Sequence, residues 1–224
     1  MNMKKMQPIL LLSIAAIVLM IIFGNSMFYK INPGERAIIF RQFGSGLDTT
    51  TIYQPGFHLV APWNDFIIYD IKEQTTDETM DVLDKNGLSL NIDVSVRFNP
   101  IFSRLSLLHQ QFGIEYVSVL VIPEVRSVVR QVAGRFNAEE IYSTKRGEVE
   151  AAIIKEADVK LRNNHIDMRA LLIRSIKLPN DIKMAIESKL TQEQEALAYQ
   201  FKLEKERSEA LRKKIQAEGE ATAN

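Results

Sequence analysis

Three histidines, His58, His109 and His165, are the side chains of this 224-residue sequence best suited to bind a metal or to move protons near neutral pH. Each lies in a different segment, and none has a second ligand type three or four positions away, where a helix would bring donors together. They read as surface or core residues. The sequence has no cysteine, which removes disulfides, thiolate metal sites and cysteine nucleophiles together. Nothing matches a phosphate loop, a dinucleotide fingerprint, a nucleophile elbow or a zinc-protease helix. The acidic pair Glu139-Glu140 stands at a predicted helix start, where negative charge suits the helix dipole. No catalytic residue, metal or cofactor is assigned, and the chain reads as a protein that is not an enzyme.

The informative residues are apolar. From Ile9 to Phe23 (ILLLSIAAIVLMIIF) no charge interrupts the run. Ile9, Leu10, Leu11, Leu12, Ile14, Ile17, Val18, Leu19, Ile21, Ile22 and Phe23 are the candidate membrane anchor. Fifteen helical residues reach roughly 22 Å, and extension through Gly24–Tyr29 brings the span near the ~30 Å hydrocarbon layer. A cleaved secretory signal is the competing reading of Lys4-Lys5 and the apolar run. Under either reading the two lysines favour a cytoplasmic amino terminus and an extracytoplasmic bulk. In the Gln54–Trp63 segment two prolines and a glycine predict an irregular loop. Phe57 and Trp63 within it are expected to plug a core, with contact to the bilayer surface as the alternative.

Elements follow from periodicity. Arg36–Phe43 and Phe66–Ile71 read as strands, and Leu88–Phe98 alternates strictly, with Leu88, Leu90, Ile92, Val94, Val96 and Phe98 on one face. Asp84-Lys85-Asn86-Gly87 has hairpin-turn chemistry. Helical spacing governs 101–112, 116–136 and 144–162, with a kink or break expected at Pro123, and 166–178 returns to strand composition. The layout is α+β: a tip over 1–8, an anchor over 9–29, a two-part domain over 30–179 with subdomains 30–99 and 100–179, and a helix over 180–224. Balanced charge, 28 basic against 28 acidic residues, offers no field for nucleic acid.

No proline or glycine falls between Pro179 and Gly219, so a helix of some 60 Å is permitted, at about 1.5 Å per residue. Leu197, Phe201, Leu211 and Ile215 fit one heptad seam, thinned by Glu204 and Ser208. Ala196, Leu203, Ala210 and Ala217 form a second row repeating every seven residues. Two narrow seams suit a wall of parallel helices; a lone solvated helix is the alternative. Glu218–Asn224 carries no helix-ending motif, so the natural chain is expected to continue.

Four stretches carry a family resemblance. They are Gly34-Glu35-Arg36-Ala37-Ile38 with the Gln54–Trp63 segment, Tyr69-Asp70-Ile71, Val125–Glu140 (VRSVVRQVAGRFNAEE), and Gln216-Ala217-Glu218-Gly219-Glu220. In this order they resemble the prohibitins, of bacterial type, within the stomatin, prohibitin, flotillin and HflK/HflC superfamily. The resemblance implies a band-7 domain in two parts followed by a long helix. It also implies rings or cages built from this chain, or from it and a paralogous subunit, over a patch of membrane lipid. A membrane-anchored AAA protease is the further partner implied, with a role in membrane-protein quality control. The membrane implied is a bacterial inner membrane, with a mitochondrial inner membrane as the alternative. Two other functions remain open at this point: a monomeric lipid-binding module and a regulatory subunit of a membrane protease.

Overall fold

Turn residues and short alternations build the first part of the fold. The computed structural model describes residues 27–222, with side chains through Gln216, and opens on β1 (Phe28–Ile31). Asn32-Pro33-Gly34 then turns the chain into β2 (Glu35–Arg41), with Gly34 at φ +88°, a backbone region that side chains resist. Three further strands follow: β3 (Gly46–Leu47), β4 (Gly56–Leu59) and β5 (Asn64–Asp70). They make two small antiparallel sheets, β1-β4 and β3-β2-β5. Between the sheets the rings of Tyr29, Tyr53, His58 and Phe66 gather, with centroids 4.9 Å apart for Tyr29–Phe66 and 5.1 Å for Tyr53–Phe66.

Two expectations change here. Phe28 and Tyr29, predicted as the end of a membrane span, pair with Leu59 and His58 in β1-β4. Their backbone groups serve a strand ladder and their side chains alternate between faces, so a helical span reaching residue 29 does not hold. The run Ile9–Phe23 lies outside the described residues; among those described, no helix is long and apolar enough to cross a membrane. The Gln54–Trp63 segment, expected as irregular loop, contributes β4, because Phe57-His58-Leu59 is a short alternation between two prolines.

The second part is built around a three-stranded sheet. β6 (Gln74–Leu83) and β7 (Ser89–Pro100) form a hairpin, and β8 (Ile166–Lys177) lies on the other side of β7. Leu90, Ile92, Val94, Val96 and Phe98 are all buried, the face that alternation predicted. Between β7 and β8 come α1 (Leu105–Phe112), α2 (Ile122–Ala133) and α3 (Arg146–Asn163). Val125, Val128, Val129 and Val132 of α2 and Val149, Ile153, Ala157 and Leu161 of α3 complete the core. Each set recurs at helical spacing.

At Pro123, where a kink or break was expected, the helix changes from π to α geometry. A π-helical turn over Val117–Val121 precedes α2, with the Ile122 N–H donating to the Val117 carbonyl five residues back. Pro123 then falls in the first turn of α2, where its missing N–H leaves no gap in the ladder. A second π turn, Glu140–Thr144, leads to α3.

The chain divides into two units after Ile176. The second consists chiefly of α4 (Asn180–Thr222), a continuous helix of 43 residues. Lys183–Glu187 and Lys189–Glu193 form ion pairs one turn apart along it, each 3.8 Å.

Candidate membrane-contact and assembly surfaces

Register puts the outward side chains of β1 and β4 on one face. Phe28 stands opposite Leu59 and Lys30 opposite Phe57, while Tyr29, Ile31 and His58 point the other way into the aromatic cluster and core. Phe57 is 80% exposed, Phe28 69% and Leu59 67%. Trp63 follows in the turn just before β5, 52% exposed, with its ring 6.4 Å from that of Phe43, itself 82% exposed. Phe57 and Trp63 are therefore not the core plugs expected of them. The place between the sheets is filled by Tyr53, His58 and Phe66, and the strand geometry turns Phe57 outward. Phe28 was expected at the interfacial end of a membrane span and not on a strand face, and neither Leu59 nor Phe43 was singled out in the sequence. The signal for the first two was the alternation in Phe28–Ile31 and Phe57–Leu59, too short to stand out from chance.

Leaving a phenylalanine or leucine uncovered forgoes roughly 1.5–3 kcal/mol of burial for each side chain. Scattered apolar residues on a surface need no explanation, but several on one strand face, with an exposed tryptophan four positions beyond Leu59, suit a binding surface.

The second set lies on α4. Leu197, Phe201, Leu211 and Ile215 are exposed, as are Leu203 and Ala210 of the second row. Among the large side chains of the two rows, exposure runs from 38% for Leu203 to 71% for Phe201. Ala217 lies on the same helix, beyond the side chains described.

The polar residues weighed for chemistry have structural partners. His58 Nε2 lies 2.7 Å from the Gln54 carbonyl oxygen. His109 Nδ1 is 2.6 Å from the Tyr69 hydroxyl, and burial lowers the histidine's pKa while pushing Tyr69 up to about 12. Beside this pair the Gln74 amide donates to the Tyr116 hydroxyl over 3.0 Å, and the Ser106 hydroxyl donates to the Asp48 carbonyl. The Tyr69–His109 and Asp48–Ser106 bonds join the first part of the fold to α1, and the Gln74–Tyr116 bond ties β6 to the turn after it. His165 is buried at φ +68°, and burial lowers its pKa as well. Among the described residues no group of three His, Asp or Glu side chains converges as a metal site would require.

The run Arg135–Glu140 works as a local lock. Asn137 and Glu140 bond reciprocally, the Asn137 N–H to Glu140 Oε2 at 3.0 Å and the Glu140 N–H to Asn137 Oδ1 at 2.9 Å. This is a capping box placed at a π turn. Lys145, 2.8 Å from Glu140, is the main reason that the carboxyl's pKa is lowered. Asp84, buried in the β6–β7 turn, accepts the N–H groups of Asn86 and Leu88 on one oxygen and that of Ala138 on the other. The hairpin and the helical layer are thereby tied together.

Comparison with known proteins agrees with this architecture. Residues 29–217 match the SPFH domain / Band 7 family. Prohibitin-2 of Xenopus tropicalis is 31% identical over 196 residues, covering 87% of this chain and 64% of the relative. The mitochondrial Prohibitin-4 of Arabidopsis thaliana is 31% identical over 202 residues, covering 89% and 71%. Prohibitin 1 of Drosophila melanogaster is 27% identical over 201 residues, again covering 89% and 71%. The chain thus spans less than two thirds of the length of the vertebrate Prohibitin-2 it matches. A two-part α+β head, a long helix and this span of shared sequence place the chain in the prohibitin family, within the SPFH/Band 7 proteins.

Proposed function

We propose that the chain is a membrane-anchored scaffold whose copies, alone or with a paralogous subunit, stand side by side in a ring or cage that fences off a patch of membrane. The observation that carries this reading is α4: 43 residues of helix with Leu197, Phe201, Leu211 and Ile215 uncovered along it. A solitary helix gains nothing from such a row, whereas neighbouring helices bury it. In heptad geometry the second row, through Leu203 and Ala210, lies about 130° around the helix from the first. Two separated seams give each helix two neighbours, which a wall requires and a simple pair does not. Ile9–Phe23 is the anchor of this reading, with the head extracytoplasmic. A membrane-anchored AAA protease is the partner that the prohibitin resemblance supplies, and control of membrane-protein turnover is the role that follows.

The test is assembly size. Leu197→Asp combined with Leu211→Asp forces charge into the first seam and is expected to reduce the full-length protein in mild detergent from large particles to small ones, with the head still folded. Large particles that persist in the double variant overturn the use of this seam.

The exposed β1-β4 face supports a second element, contact of the head with the bilayer surface. It belongs to the scaffold reading and also fits the alternative of a monomeric membrane-surface module. Trp63 is the only tryptophan, so its quenching by brominated lipid in proteoliposomes reports this contact directly. Strong quenching is expected in the unaltered chain, with a decrease on Phe57→Ser; no quenching in the unaltered chain rules the contact out.

A further inference from the structure

Lys30 stands on the β1-β4 face among Phe28, Phe57 and Leu59, directly opposite Phe57 in the register, and is exposed. It forms no salt bridge among the described residues. The chain around it supplies no negative charge: neither Met27–Gly34 nor Thr49–Trp63 contains an aspartate or glutamate, and Lys30 is the only Lys or Arg in either stretch. Nearby acidic residues are engaged elsewhere. Glu35 is bonded by the Asn32 backbone and side chain, Asp48 is paired with Arg41, and Asp65 accepts from Gln42.

An apolar face with one unpaired cation has a definite chemical complement. Aromatic and aliphatic side chains settle at the boundary between acyl chains and headgroups, and a lysine stem runs along them to hold its ammonium at phosphate depth. Phe28 follows Phe23, the last residue of the apolar run, by only five positions, so a chain anchored by that run keeps this face near the membrane surface.

From this arrangement we infer that the β1-β4 face is an anionic-phospholipid site, in which Lys30 binds the headgroup phosphate while Phe28, Phe57 and Leu59 lie against the acyl chains beneath it. The inference rests on the surface-contact reading above and adds selectivity to it. Lipid is gathered by charge around each head, so an assembly of many heads would enclose a membrane enriched in anionic lipid.

The test uses the full-length chain in vesicles of equal phosphatidylcholine and phosphatidylglycerol, with bromine carried by one lipid or by the other. Both sets have the same charge, and only the identity of the lipid beside Trp63 differs. Brominated phosphatidylglycerol is expected to quench Trp63 about three- to fivefold more than brominated phosphatidylcholine, the enrichment that one lysine near a charged surface provides. Lys30→Gln should bring the ratio to one with the summed quenching retained, and molar salt should do the same. Lys72→Gln, which removes a lysine already paired with Asp70 at 3.3 Å, should leave the ratio unchanged. Equal quenching by both lipids in the unaltered chain overturns the site while leaving surface contact intact, as does a ratio that survives Lys30→Gln. Absence of quenching by either lipid removes the surface-contact reading and this inference with it.

Discussion

β7 and α4 both carry apolar side chains at regular spacing, and the two dispose of them in opposite ways. Ile92, Val94 and Val96 of β7 are 0% exposed, covered by the helical layer, whereas Leu211 and Ile215 of α4 are 59% and 60% exposed. Periodicity tells which face of an element is apolar. Whether that face is covered depends on what else the chain brings to it. In β7 the helical layer supplies the cover, while the apolar rows of α4 stay exposed in the single chain. The β1-β4 face resembles α4 in this respect, with Phe28, Phe57 and Leu59 left uncovered on its outward side.

Stability measurements separate the two kinds of face. Ile92→Ala in β7 is expected to cost about 2–5 kcal/mol, read by chemical denaturation of the full-length protein, since it empties a fully enclosed position. Asp84→Ala comes next, at about 1–3 kcal/mol, because three backbone N–H groups lose their acceptor, one of them in the buried Ala138. A loss under 0.5 kcal/mol at Asp84 would mean that the tie between hairpin and helical layer is not structural.

A smaller effect is expected at His109. Burial depresses its folded pKa below the unfolded value of about 6.5, so the unfolded chain binds the proton more readily. Its contribution to stability is complete above that pH and is lost as pH falls toward the folded value. His165 acts with the same sign. Denaturation followed between pH 7 and 5 should therefore show a decline that is shallower in His109→Gln, and an unchanged slope would remove His109 from the account. The smallest effect on folding belongs to the exposed rows: Phe57→Ser and the Leu197→Asp, Leu211→Asp pair are each expected to shift stability by less than about 0.5 kcal/mol per site.

Much of the head was legible in the sequence because its signals are long. Leu88–Phe98 alternates over eleven residues, Asp84–Gly87 has a turn composition that few alternatives share, and 144–162 keeps helical spacing over about five turns. β6 was missed for the complementary reason. Its half-buried face begins Gln74, Thr76, Glu78 before Met80 and Val82, so half of the alternation is polar on both sides. Arg126 makes burial of Glu78 tolerable through a 2.6 Å pair, a contact between residues 48 positions apart that local pattern does not encode. A kink or break was expected at Pro123, and the π turn before it was not foreseen, because a proline reveals the missing donor and not how the ladder closes around it. In the candidate surfaces, Phe57 and Trp63 were found by residue type, but their direction depends on which strand pairs with β1. Phe28, Lys30 and Leu59 could be placed beside Phe57 only once that register was known.

Particle size of the full-length chain, extracted from its membrane in mild detergent and imaged as single particles, tests the central claim most directly. The scaffold account predicts closed assemblies of many copies that fall to single chains or small oligomers in the Leu197→Asp, Leu211→Asp variant. Monomers of the unaltered chain at micromolar concentration would contradict it and leave the β1-β4 face as the working surface of a solitary membrane module.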